Sequence, residues 1–106
     1  MLPLFVYGSL RKGKRNPWAR RLWRDGQDLG PARVRGRLEW PSVFPTWRPA
    51  RGPAQWVAGD LVRPASPRLL AMIDGYEDSE AYRRRRVMAL TADGRRCAAW
   101  IYEYVL

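Results

Sequence analysis

Two short stretches hold the residues able to do chemistry. The first is "FVYGSLRKG", residues 5–13, where an apolar run stops at Gly8 and Ser9. A strand ending in Gly-Ser offers consecutive backbone N–H groups at a loop. Glycine also reaches backbone angles that other residues avoid, and its missing side chain lets a carboxylate or carbonyl oxygen come close. Ser9 adds a hydroxyl donor. On its own the fragment reads first as a plain turn. The second stretch is "LLAMIDGYEDSEAYRRRRV", residues 69–87. Glu77 directly follows "IDGY", the expected end of a helix, where a carboxylate can be held near the apolar core with its pKa raised. The alternative is a solvated acid in a turn shared with Asp74, Asp78 and Glu80.

What the chain lacks narrows the chemistry further. There is no histidine, which excludes Ser-His triads, Cys-His dyads and histidine-ligated metals, and the single cysteine cannot build a thiolate cage. Acid–base work therefore falls to carboxylates. Cys97 cannot form an intramolecular disulfide, so nothing calls for an oxidising compartment and a cytoplasmic location is the default. On its predicted strand it reads as a small core residue.

The elements that must position these residues are legible as a coarse map. "LPLFVY" (2–7) reads as a buried strand. "NPWARRLWRDG" (16–26) starts with Asn16 as N-cap and Pro17 at the first helical position, presents Trp18, Ala19 and Leu22 on one face, and ends near Gly26. "LGPARVRGRLEW" (29–40) alternates Val34, Gly36, Leu38 and Trp40 against charged neighbours, predicting one half-buried strand. "PSVFPTWRPARGPA" (41–54) reads as an ordered loop, and "AQWVAGDLVRP" (54–64) as a strand with Gly59 at a bend or bulge. Ser66 and Pro67 open a second helix with Leu69, Leu70, Met72 and Ile73 available to pack and Gly75 as its end. "AYRRRRVMAL" and "RRCAAWIYEYVL" flank "TADG", whose Asp93-Gly94 pair signals a hairpin. The order β, α, β, β, α, β, β predicts an α+β fold: a mixed, mostly antiparallel sheet or small barrel with two flanking helices.

A chain of 106 residues, 46% of them apolar, supports a single domain over residues 1–106. The N-terminal apolar run is too short to span a bilayer and lacks a basic leader region, so no membrane association is expected. Twenty basic residues face ten acidic ones, and all but Lys12 and Lys14 are arginine. A net charge of +10 attracts polyanions, but the arginines are spread along the chain and no RNA-binding motif is present. The six tryptophans are likewise scattered, which favours core or cleft lining over base stacking.

Taken together, "FVYGSLRKG", "VAGDLVRP", "MIDGYEDSEAYRRRRV" and the terminal "AAWIYEY" stand in the order of the signatures of the γ-glutamylcyclotransferase-like (AIG2-like) family. The chain resembles a compact bacterial-type member over nearly its whole length. The resemblance implies that Tyr7, Gly8, Ser9 and Leu10 form the loop that cradles a γ-glutamyl or 5-oxoproline moiety through backbone amides. It also implies that Glu77 is the catalytic acid–base residue and that Tyr82 and Arg84 support the site. Arg83, Arg85 and Arg86 read as surface charge. The implied reaction is intramolecular aminolysis of a γ-glutamyl small molecule, releasing 5-oxoproline and an amine or amino acid without metal or cofactor. The chain departs from the family pattern at Asp78, where glycine is common, and at Gly59-Asp60, where Gly-Glu is usual. The alternative is a catalytically silent module that binds a small anionic ligand through the same loop, or RNA through its arginines.

Overall fold

The computed structural model describes residues 1–41, 43–50, 52–53, 55–77 and 80–106. Its elements run β1 (Leu4–Val6), α1 (Pro17–Asp25), β2 (Gln27–Arg35), β3 (Arg37–Glu39), β4 (Thr46–Arg48), β5 (Trp56–Arg63), α2 (Pro67–Tyr76), β6 (Tyr82–Thr91) and β7 (Arg96–Tyr104). The strands form one sheet in the order β1-β5-β2-β6-β7-β4-β3, and an additional β1–β7 pairing closes β1, β5, β2, β6 and β7 into a five-stranded barrel. The seam is parallel, with Leu4 beside Trp100 and the Trp100 N–H donating to the Pro3 carbonyl at 2.9 Å. The other barrel pairings are antiparallel. The small mixed barrel with two helices is thus the expected α+β architecture.

β1 explains why its sequence is apolar without alternation: it is covered on both faces. Phe5 points into the barrel with Val34, Trp47, Leu61, Ala89 and Ile101. Leu4 and Val6 face outward and pack with Leu22 of α1 and Leu69, Leu70 and Ile73 of α2. Both helices begin as their sequences direct. Asn16 Oδ1 accepts from the Ala19 N–H at 2.8 Å, Ser66 Oγ accepts from the Leu69 N–H at 3.1 Å, and a proline occupies the first turn of each.

Several expectations are corrected. The strand expected over 29–40 starts earlier and is cut in two at Gly36, where a Cβ would lie 2.1 Å from Trp47 Nε1 and 2.8 Å from the Arg48 carbonyl. The chain turns there so that β3 can pair with β4. Trp40, expected inward, lies beyond that break and is 63% exposed. The loop expected over 41–54 contains β4, a strand too short to leave an alternating pattern. Gly59 marks no bend. It sits in register opposite Ala32, and a Cβ on it would meet the Val6 carbonyl at 2.4 Å and the Phe5 ring at 2.6 Å, so it is the point where β1 crowds β5. Gly75 lies inside α2, which continues to Tyr76, and Met72 is exposed. Gly8 does not adopt a positive φ.

Candidate functional site

A narrow cleft of about 40 Å³ opens where β1 ends, walled by Phe5, Tyr7, Pro45, Tyr82 and Tyr102. Gly8, Ser9 and Leu10 line one side and Glu77 the other. Glu77 is there because α2 stops at Tyr76. Its own N–H still closes the helix by donating to the Ile73 carbonyl at 3.0 Å, while its backbone turns to an extended conformation (φ −69°, ψ 135°). Its carboxyl group thus leaves the helix axis and enters the cleft. Burial penalises the charged form, and the pKa is pushed up to about 7.

The loop opposite is held by its carbonyl groups. Asn16 Nδ2 donates to the Ser9 carbonyl at 2.6 Å, and Trp23 Nε1 donates to the Leu10 carbonyl at 2.8 Å, so α1 grips the loop from behind. The Arg11 N–H closes a turn onto the Gly8 carbonyl at 3.1 Å. Among the described residues, the N–H groups of Gly8, Ser9 and Leu10 donate to no protein acceptor. The loop therefore presents donors and has its acceptors spent, a polarity suited to oxygen atoms of a ligand. A Cβ on Gly8 would touch Pro45 only at 3.7 Å or more, so packing alone does not demand glycine there. Its absence leaves the backbone bare beside the cleft. Ser9 Oγ and the Tyr76 hydroxyl lie 3.2 Å apart, joining this loop to the residue just before Glu77.

The tyrosines brace the walls. The Tyr7 hydroxyl donates to the Tyr102 carbonyl at 2.7 Å and accepts from the Trp47 N–H at 3.0 Å, tying β1 to β7 and β4. The Tyr102 hydroxyl donates to Asp74 Oδ1 at 2.7 Å. Burial pushes both phenols upward, joined for Tyr102 by the Asp74 carboxylate, so both remain protonated donors. Tyr82 lines the cleft and stacks, tilted, on Tyr104 at 5.5 Å.

Tyr7, Gly8, Ser9, Leu10, Glu77 and Tyr82 are therefore brought together around one cleft. Arg84 stands outside it: its Nε pairs with Asp74 at 2.8 Å and its guanidinium lies over Trp100 at 4.7 Å. Arg83, Arg85 and Arg86 are exposed. Asp60, one of the departures, takes Arg11 Nε at 3.0 Å and the Lys12 N–H at 3.3 Å, anchoring the far end of the loop. Asp78 lies outside the described residues. Sequence reasoning missed Asn16 as a tether, Pro45 as a wall and Asp74 as a partner. Only Asp74 left a signal, a carboxylate one turn ahead of Glu77. Among the described residues, no cluster of three or more His, Cys, Asp or Glu side chains is placed to hold a metal. No helix among them is long and apolar enough to cross a membrane.

This small closed barrel, with two helices on its outer face and a glutamate set against a strand-end loop, is the architecture of the γ-glutamylcyclotransferase-like fold. The family model described as gamma-glutamyl cyclotransferase, AIG2-like, matches residues 4–106, and the chain belongs to that family. Solved structures agree on the fold. YkqA from Bacillus subtilis superposes with a TM-score of 0.79 at 24% identity, over 97% of this chain but 35% of that protein. An AIG2-like protein from Mus musculus gives 0.82 at 19%, over 99% of this chain and 78% of its own. The uncharacterized protein PH0828 from Pyrococcus horikoshii gives 0.68 at 22%, over 98% and 78%. This chain thus spans about a third of YkqA. No curated protein matches it.

Proposed function

We propose that the chain is a γ-glutamyl cyclotransferase that acts in the cytoplasm on a γ-glutamyl amine or γ-glutamyl amino acid, releasing 5-oxoproline. The observation that carries this reading is the Glu77 carboxyl group, half-buried across the cleft from the Gly8–Leu10 amides with its pKa pushed up to about 7.

A base near pH 7 is matched to the first step. The substrate's α-ammonium has a reference pKa of about 8, and its proton must leave before nitrogen can attack. Glu77, ionised, takes that proton. The freed amine attacks the γ-carbonyl of the same glutamyl unit, forming the ring C–N bond, while the N–H groups at Gly8–Leu10 receive the charge that develops on oxygen. The bond to the departing nitrogen then breaks, and protonated Glu77 returns its proton to that nitrogen. The ring nitrogen then sheds its second proton to the regenerated Glu77 carboxylate, which passes it to the departing amine, so that the amine leaves as its ammonium ion and the atoms balance with no co-reactant. Holding the flexible glutamyl chain in its folded conformer gives the advantage of an oriented intramolecular attack.

The test is 5-oxoproline release from a panel of γ-glutamyl amines and dipeptides by the native chain and by Glu77→Gln, with folding of both checked by circular dichroism. Release by the native chain that falls roughly 10²–10⁴-fold in the folded variant is expected. Equal activity in both would remove Glu77 from this role, and no release from any member of the panel would overturn the reading.

A further inference from the structure

A second cavity of about 750 Å³ shares no lining residue with the cleft at Glu77. It opens where β2 and β6 part. Their pairing covers only Ala32 with Thr91, Arg33 with Leu90 and Val34 with Ala89, and Arg35 on one side and Arg85–Met88 on the other then line the gap. Its exposed apolar lining is Trp56 and Met88, set over the buried barrel core at Val34, Trp47 and Ala89, and the rim carries Arg35, Arg85, Arg86 and Arg96. Among the described residues, no carboxylate lines it.

The charge at this rim is unbalanced in a chain that elsewhere pairs many of its cations. Arg85 meets Glu103 at 3.2 Å, but Arg35, Arg86 and Arg96 have no ion-pair partner among the described residues. Trp56 holds Arg35 and its neighbour Arg33 over its ring, at 5.5 and 4.5 Å. These two guanidinium groups are thus positioned without being neutralised. Cations gathered around an apolar hollow repel one another, and an anion bound among them relieves that repulsion.

We propose that this cavity is a second ligand site, which takes an organic polyphosphate. Its volume lies within the roughly 300–1,000 Å³ of small-molecule sites. An apolar ring rests against Trp56 and Met88, the lining apolar side chains that are exposed. The guanidinium forks receive phosphate oxygens in pairs. Three uncompensated arginines on one rim call for a ligand with more than one negative group, which a single carboxylate does not supply. The inference stands independently of the cyclotransferase reading.

The experiment is calorimetric titration of the full chain with ATP, adenosine and inorganic tripolyphosphate. The cavity variant is the double substitution Arg86→Glu with Arg96→Glu. A control carries the same change of net charge at Arg20→Glu with Arg68→Glu, on the exposed faces of the helices. All four positions are exposed, so both variants keep the fold. The expected result is one ATP per chain, bound at least tenfold more tightly than adenosine or tripolyphosphate. The cavity pair should weaken it at least tenfold and the control pair less than threefold. No binding of ATP, equal binding of tripolyphosphate, or equal loss in the two variants would overturn the proposal. So would binding confined to a poly-glutamate peptide or a single-stranded oligonucleotide.

Discussion

The Tyr102 hydroxyl donates to Asp74 Oδ1 at 2.7 Å, one helical turn before Glu77 on the same chain segment. Arg84 Nε closes on the same oxygen from β6 at 2.8 Å. The last turn of α2 is therefore fixed to two barrel strands at once. The Tyr102 carbonyl in turn accepts from the Tyr7 hydroxyl at the start of the candidate oxygen-binding loop. One residue of β7 thereby sets the spacing between the two sides of the cleft.

Asp74→Asn and Tyr102→Phe are each expected to cost about 1–2 kcal/mol, the range for a hydrogen bond to a charged group discounted for partial exposure. Because Asp74→Asn strips this hydrogen bond of its charge and Tyr102→Phe removes it, the double variant should fall short of their sum by up to about 1 kcal/mol. Urea denaturation of the four proteins measures this. Additive costs would show that the contact does not hold α2 in place.

Glu77 should make stability depend on pH in an unusual direction. Its folded pKa, about 7, lies above the ordinary 4.5, so between those values the folded state holds the proton more tightly than the unfolded one. The penalty is absent below about pH 4.5, grows as pH rises, and is complete above about pH 7. Relative to the native chain, Glu77→Gln should gain up to about 3 kcal/mol at pH 8 and nothing at pH 4. Thermal melts of both proteins across this range give the difference directly, since all other groups cancel. Under the proposed mechanism the same ionisation should produce a rise in kcat/KM through pH 7.

Asn16 performs two tasks with two atoms. Its Oδ1 caps α1 and its Nδ2 holds the Ser9 carbonyl at 2.6 Å. Asn16→Ala loses both, at a cost of about 1 kcal/mol for the cap. Asn16→Asp keeps the cap and loses the tether. Its melting temperature should stay near that of the native chain while KM for a γ-glutamyl substrate rises several-fold. Unchanged KM in Asn16→Asp would mean that the loop holds its shape without this bond.

Gly59→Ala places a methyl group 2.4 Å from the Val6 carbonyl and 2.6 Å from the Phe5 ring. Neither neighbour is a free side-chain end, since Val6 and Phe5 are 3% and 0% exposed. The substitution is expected to cost about 3 kcal/mol or more. A melting temperature within a few degrees of the native value would show that β1 can move off β5.

The helix starts, the hairpin at Asp93-Gly94 and the apolar runs are local features, and each was legible from the identity of a few neighbouring residues. Asn16-Pro17 and Ser66-Pro67 satisfy orphan helix N–H groups whatever lies around them. Glu77 was legible as a carboxylate leaving a helix end beside an apolar segment. β4 was not legible, because three residues hold no periodicity; it is a strand only because β3 and β7 offer it hydrogen-bond partners. That strand nevertheless supplies the Trp47 N–H on which the Tyr7 hydroxyl rests.

Sequence alone thus determined the two helices and the longer strands, and that acid–base chemistry here must rest on carboxylates. Closure was decided only in three dimensions. The β1–β7 seam joins residues 96 positions apart, at Leu4 and Trp100, and it is this pairing that brings the loop at Gly8–Leu10 and the end of α2 around one cleft. The raised pKa of Glu77 belongs to that closure as well, since desolvation depends on every wall of the cleft and no neighbour in sequence can supply it.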